Sequence, residues 1–386
     1  MKDLWKKYGR VWAVLLAAAV LFAVGRALAA PEKELSSEAE EFAEYETAVV
    51  RQILTDSTEY DPISTGHRGQ QMLLAEVTSG RYEGQTLQVY NYVGPLYGVP
   101  VEEGDRVTLI ISTYADGSHT GSVYEFDRGI PLAVVVGIFL VAAVVIGGKT
   151  GAKSLLGLGI TLACLFWVLI PLLLKGWPTV PTVLAVGIYI TVVSLTILGG
   201  VQKKTVCAMV GTAAGMALAL AFGEFAQMLT RIDGLRITDV EPLLQLRQQG
   251  SQIGLRGLLM GGVIVSTLGA VMDVTMGITS AMAEVRAADP DMSAKALFCS
   301  GMNVGRDMVG TMTNTLILAF LGSSFTLILY FYTIGLSFHQ LLSSAYLSVE
   351  IISSVACSVG VILTIPITAL LTAVVMSKQQ KKTSLG

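Results

Sequence analysis

Long unbroken apolar runs occupy the start of the chain and nearly everything after residue 129, while the stretch between them alternates in short bursts. The first run, VWAVLLAAAVLFAVG, follows the basic segment MKDLWKKYGR. Seven more have approximate limits 130–147, 154–174, 178–200, 205–229, 253–283, 308–334 and 347–376. A helix needs roughly 20 residues to cross the hydrocarbon of a bilayer, and each run is close to that length or above it. Only a helix satisfies its own backbone in lipid, and these runs lack the alternation of barrel strands. The pattern predicts a polytopic α-helical membrane bundle of about eight spans.

Residues 31–129 break the pattern. An acidic segment, EKELSSEAEEFAEYE, opens the block, and strand-like bursts follow at Thr47–Leu54, Gln71–Thr78, Gln85–Tyr92, Arg106–Thr113 and Gly121–Phe126. The turn signals SGRYEG, VGPLYG, EEGD and ADGSH separate them. Short strands with glycine-rich turns predict a small β-rich domain, OB-like or barrel-sandwich, with a simple sheet on a helix as the alternative. The chain then divides into an anchor or signal-like span (1–30), the β-rich domain (31–129), a seven-helix membrane domain (130–376) and a basic tail (377–386). Ala27–Ala30 leaves cleavage of the first span open.

Charge adds an orientation. Lys2, Lys6, Lys7, Arg10, Lys149, Lys153, Lys203, Lys204, Arg286, Lys295, Arg306, Lys378, Lys381 and Lys382 all fall on one side of an eight-span chain. By the positive-inside rule that side is the cytoplasm. The expectation is a multi-pass protein of the cytoplasmic membrane with both termini inside and residues 31–129 outside. That outer block holds 18 acidic against 6 basic residues, which argues against a nucleic-acid partner. The four cysteines, Cys164, Cys207, Cys299 and Cys357, lie outside it and form no CxxC. No disulfide framework, metal site or cofactor is read from them.

Candidate chemistry concentrates between Ser266 and Asn314. Ser266, Ala270, Asp273, Gly277, Ser280 and Glu284 step by three or four residues and so share a helical face. Asn303, Asp307, Gly310 and Asn314 make a second stripe, with Arg306 beside it. Asp273 and Arg306 lie at similar depth, which permits an ion pair, and Asp307 competes for the same guanidinium. Ionisable groups at membrane depth face protein or water and often mark pathways. Interhelical adhesion is the plainer alternative for such residues. Gly211/Gly215, Gly257/Gly261 and Gly301/Gly305 are small-xxx-small pairs suited to close helix packing. The glycines of SGMNVGRDMVGTMTNT also suit a broken helix, and Met272, Met276, Met302, Met308 and Met312 are soft ligands or ordinary filler.

Enzymatic readings find little support. There is no HExxH, the histidines His67, His119 and His339 are scattered, and AVVIGGKT lacks the first glycine of a P-loop. An intramembrane aspartyl dyad of Asp273 and Asp307 is opposed by Arg306, which disfavours a shared proton. The chain reads as a non-enzyme.

The segments GAVMDVTMGITSAMAEV, DPDMS and SGMNVGRDMVGTMTNTLILAFLGSS resemble the signature region of the YibE/F family of bacterial membrane proteins. The resemblance extends over most of the chain, including the EGDRV turn at Glu103–Val107. It implies the architecture above and a transporter or permease type of function. The expectation is passage of an unidentified small solute or ion through a site of Asp273, Asn303, Arg306, Asp307 and Asn314. The alternative is a non-transporting assembly or sensor component whose outer domain binds a protein partner or envelope ligand.

Overall fold

The computed structural model describes residues 2–29, 43–113, 119–232, 243–245, 247 and 254–383. It divides into two compact units, residues 31–143 and residues 1–30 with 144–386.

The first unit is a small β-barrel. Its strands are β1 (Ala43–Asp56), β2 (Glu59–Asp61), β3 (Gly66–Val77), β4 (Thr86–Val93), β5 (Arg106–Thr113) and β6 (His119–Phe126). The sheet runs β1-β5-β6-β4-β3-β2, and an added β1–β3 pairing closes five of the strands into a ring. All the pairings are antiparallel except β4 with β6. Alternation does the work expected of it, because successive strand side chains point to opposite faces. Leu73, Ala75 and Val77 of β3 meet Val107, Leu109 and Ile111 of β5 inside the ring. The short strand β2 was not legible as a strand, since Glu-Tyr-Asp has no apolar alternation; it forms by pairing with Gly66–Arg68. Gln71 and Asn91 are buried as well, and their amides bond each other at 2.9 Å. Gln71 also accepts from the Val101 amide at 3.0 Å and donates to the Val101 carbonyl at 3.1 Å. This network fastens the β4–β5 connection to the barrel.

The second unit is helical, and the start of helix α2 (Gly129–Cys164), up to Ala143, falls within the first unit with the barrel. Helix α1 spans Lys2–Ala29. A 46-residue apolar stretch from Gly129 to Leu174 contains α2 (Gly129–Cys164), a π-helical turn at Leu165–Leu169 and α3 (Ile170–Leu174). The stretch is interrupted at Gly148, whose φ of 53° and ψ of −137° lie outside the helical region. A glycine takes up such a conformation without the steric penalty of a Cβ. The π turn precedes Pro171, whose ring nitrogen cannot donate to the preceding turn. Then come α4 (Thr179–Gly199), α5 (Lys203–Thr230), α6 (Leu258–Ala288), α7 (Ala294–Ser323), α8 (Phe325–Thr333), α9 (Phe338–Leu342) and α10 (Ala345–Thr383). Among the described residues, six helices are long and apolar enough to cross a membrane, or seven if α7 and α8 count as one span bent by 59°. Ser337 and Gln340 cap α9 reciprocally.

Helix α1 belongs to this unit by contact. The Tyr189 hydroxyl donates to the Ala18 carbonyl at 2.8 Å, Lys175 Nζ donates to Leu28 at 2.7 Å, and Arg26 lies over the Trp167 ring. The centre of the bundle is α6, which packs against α4, α5, α7 and α10.

Candidate functional site

Helix α7 has two faces of opposite character. Leu297, Gly301 and Gly305 are buried. A Cβ at Gly301 would overlap Met282 of α6 and crowd Ala369 of α10, and one at Gly305 would overlap Ile365 of α10. The missing side chains let three helices approach along one seam, which Met308, Met312 and Leu316 continue. At about 100° per residue, Asn303, Arg306, Asp307, Gly310 and Asn314 fall on the opposite side. All five are exposed. The seam also explains why the glycine-rich motif is one continuous helix, because neighbouring side chains fill the space the glycines leave. The break comes later, at Ser323–Ser324, where α8 begins.

Asp273 lies on α6, exposed, on the same face as Gly269, which has open space above it. One turn on, Gly277 sits against Met308 of α7, so α6 and α7 are direct neighbours at this level. Ser266, earlier on the same stripe, instead turns to Cys357 of α10 at 3.1 Å. Among the described residues, Asp273, Arg306 and Asp307 make no ion pair. The Asp273–Arg306 pairing that depth permits is therefore not formed. The cause is rotation: Arg306 directly follows the buried Gly305, and one helical step carries it away from the seam. The structure thus brings Asn303, Arg306, Asp307 and Asn314 together on one face, with Asp273 on the adjoining helix and not bonded to them.

The other glycines line close helix contacts. A Cβ at Gly211 or Gly215 of α5 would overlap Thr368 or Thr364 of α10, and Gly257 and Gly261 lie against Thr179 of α4. These contacts expose a feature that the sequence reading missed, a buried threonine seam between α5, α6 and α10. Thr212 and Thr275 share a hydrogen bond of 2.9 Å, Thr267 donates to Cys357 at 3.1 Å, and Thr364, Thr368 and Thr372 follow at four-residue spacing. That spacing on the last helix was the available signal. Most of these hydroxyls also bond a carbonyl of their own helix, so the seam is satisfied locally. The Thr368 hydroxyl has no partner among the described residues.

The remaining candidates disperse. Met272, Met302, Met308 and Met312 pack into apolar clusters. Cys164, Cys207 and Cys357 are buried and Cys299 is exposed, all as free thiols.

The family model described as YibE/F-like protein matches residues 135–378, a range that contains both polar stripes, the glycine seams and the threonine seam but not the barrel strands. No curated protein and no solved structure matches the chain.

Proposed function

The chain belongs to the YibE/F family, and from that membership together with the two-faced helix α7 we propose that it is a multi-pass membrane permease. The observation that carries this reading is the exposed stripe Asn303, Arg306, Asp307 and Asn314, opposite a packed glycine seam and beside Asp273. Charged groups at membrane depth are costly against lipid, by ~2.5–3.5 kcal/mol each on insertion scales. They are stable there if water or solute faces them. In this reading Asp273 is the titrating or coordinating carboxylate, Arg306 a counter-charge along the same path, and the two asparagines neutral ligands.

An eight-span topology is part of the proposal. Forty-six helical residues would extend ~69 Å at 1.5 Å each, about twice the hydrocarbon thickness. The interruption at Gly148 favours two crossings with Lys149 and Lys153 between them. With α1 retained as an anchor, both termini and every lysine-rich connection lie in the cytoplasm and the barrel lies outside. The docking of α1 through Tyr189 and Lys175 favours retention; intact-mass measurement of the purified protein should find residues 11–28 present, and a chain starting near residue 31 would refute it. The ring order of the five closed strands supports the OB-like assignment of the barrel.

Flux tests the reading. Proteoliposomes holding the purified chain should pass at least one of H⁺, Na⁺, K⁺ or Mg²⁺, and Asp273→Asn or Arg306→Ala should reduce that flux at least tenfold. Unchanged flux in both variants would remove these residues from the path. A second reading is favoured by one observation: the α7 stripe faces away from its own bundle, which also suits cover by another protein. Wild-type liposomes impermeant to all four ions, with an added subunit shielding the stripe, would favour that assembly role.

A further inference from the structure

The two most exposed large apolar side chains among the described residues are Leu96 and Ile63, at 96% and 95%. Both sit at the tips of tight turns of the same make. In the first, Asp61-Pro62-Ile63-Ser64, the Asp61 carboxylate accepts from the Ile63 amide at 3.0 Å and from the Ser64 hydroxyl at 2.8 Å. Arg68 pairs with the same carboxylate at 2.9 Å. In the second, Gly94-Pro95-Leu96-Tyr97, the Gly94 amide donates to the Tyr97 carbonyl at 2.8 Å. Gly98 follows with φ 63°, and a Cβ there would overlap the Tyr92 carbonyl. The Gln71–Asn91 network then ties Val99 and Val101 to the barrel. Both tips are held firmly. Position three of such turns usually carries Gly, Asn, Asp or Ser; here each carries a bulky aliphatic residue after a proline.

Register places both tips at one end of the barrel. Strands β4 and β6 run parallel with Val89 opposite Gly121, so Gly94, five residues on, is level with Phe126. Val93 is opposite Gly69, and the β2–β3 hairpin extends from Gly69 to its tip, passing Gly66 some ~10 Å beyond that level at 3.3 Å per residue. At this same end the chain leaves the barrel. The Asp127 amide continues the ladder by donating to Arg106 at 2.9 Å, and Asp127 Oδ1 caps Gly129, the first residue of apolar helix α2. The exposed aliphatic tips therefore flank the point where α2 starts.

We infer that the Ile63 and Leu96 turns dip into the lipid headgroup and upper acyl region of the bilayer, as a membrane-contacting rim on the barrel. The inference rests on the reading of α2 as a membrane span. The partner is a lipid surface, because a span starting at Gly129 holds that end of the barrel beside the bilayer, where apolar and aromatic side chains settle. Tyr60 and Tyr97, both exposed, adjoin the two tips. The acidic excess of the domain does not oppose contact at the tips, since Asp61 is paired with Arg68 and Asp127 with Arg106.

The test uses the full chain in lipid nanodiscs, its four cysteines replaced by serine or alanine. A nitroxide is attached in turn at Ile63→Cys, Leu96→Cys, Val135→Cys in α2 and Glu83→Cys, which lies beyond the other end of β3 and β4. Power saturation then compares contact with oxygen, which partitions into lipid, and with a water-soluble nickel chelate. Labels at 63 and 96 should show at least a threefold higher oxygen-to-nickel accessibility ratio than the label at 83, and a lower ratio than 135. Water-like values at 63 and 96 with a lipid-like value at 135 would overturn the rim and leave the span standing. Protection of 63 and 96 from both reagents would mean a protein contact and also overturn it. A water-like value at 135 would overturn the span and the rim with it.

Discussion

The barrel and the helical bundle solve the same packing problem with different chemistry. In the barrel, β-branched and aliphatic side chains alternate inward and the outer face carries ion pairs such as Arg51–Glu76 and Arg68–Asp61. Its buried Gln71–Asn91 network is multiply bonded and fixes a loop. In the bundle, close approach comes from glycine against threonine or methionine, and the buried hydroxyls bond largely within their own helices. Burial of apolar surface away from water stabilises the first. Lipid tails are as apolar as leucine, so association in a membrane must come from tight contact and interhelical hydrogen bonds. The difference between the two units is what two solvents would impose on one chain.

That comparison breaks most readily at the glycines. Gly215→Ala should destabilise the bundle by about 1–3 kcal/mol through overpacking against Thr364. Gly310→Ala, with open space around it, should leave thermal stability in detergent nearly unchanged or slightly raised. Equal effects at the two sites would mean that close approach is not what holds the helices. A matched pair of polar deletions sharpens the contrast. Asn91→Ala removes one of the bonds to Gln71 and leaves the Val99 carbonyl without its donor, and should cost about 1–3 kcal/mol, read as loss of the barrel's amide protection in hydrogen exchange. Thr212→Val leaves Thr275 its bond to Met272 and should cost only ~0.6 kcal/mol.

The smallest effect is that of pH. Hydrogen bonds from Thr58 hold the Asp56 carboxyl below its ordinary value of 3.8, and Ser64 and the Ile63 amide do the same for Asp61. A depressed folded value means the contribution is complete above the unfolded value and is lost as pH falls through the folded one. The barrel should therefore soften modestly below about pH 4, and Asp56→Asn should flatten that dependence when near-ultraviolet circular dichroism follows it.

Much of this was legible in the sequence, for identifiable reasons. β5 begins and ends where alternation places it, and the limits of the other long strands fall within five residues of the expected ones. The spacing of Asn303, Asp307 and Asn314 placed them on one face, since periodicity alone decides that. What spacing cannot supply is the azimuth of the face relative to neighbouring helices. Depth suggested that Asp273 could meet Arg306, yet Gly301 and Gly305 set the rotation of α7 and turned Arg306 outward. The threonine seam escaped because Thr in an apolar run looks like filler, and the partners Thr212 and Thr275 lie on different helices. The interruption at Gly148 falls where hydropathy already separates the runs 130–147 and 154–174; what hydropathy cannot show is that a single glycine conformation makes the break.

Permeation along α7 requires above all that its polar stripe face water while the chain is in a membrane. Single cysteines at Asn303, Asp307 and Asn314 of α7 and at Ile138 and Val141, exposed apolar positions of α2, in a Cys299→Ser background and treated with a charged thiol reagent in intact proteoliposomes, measure this directly. Modification at 303, 307 and 314 should outpace that at 138 and 141 by tenfold or more. Equal, negligible modification at all five would contradict the account and leave the stripe as a dry contact.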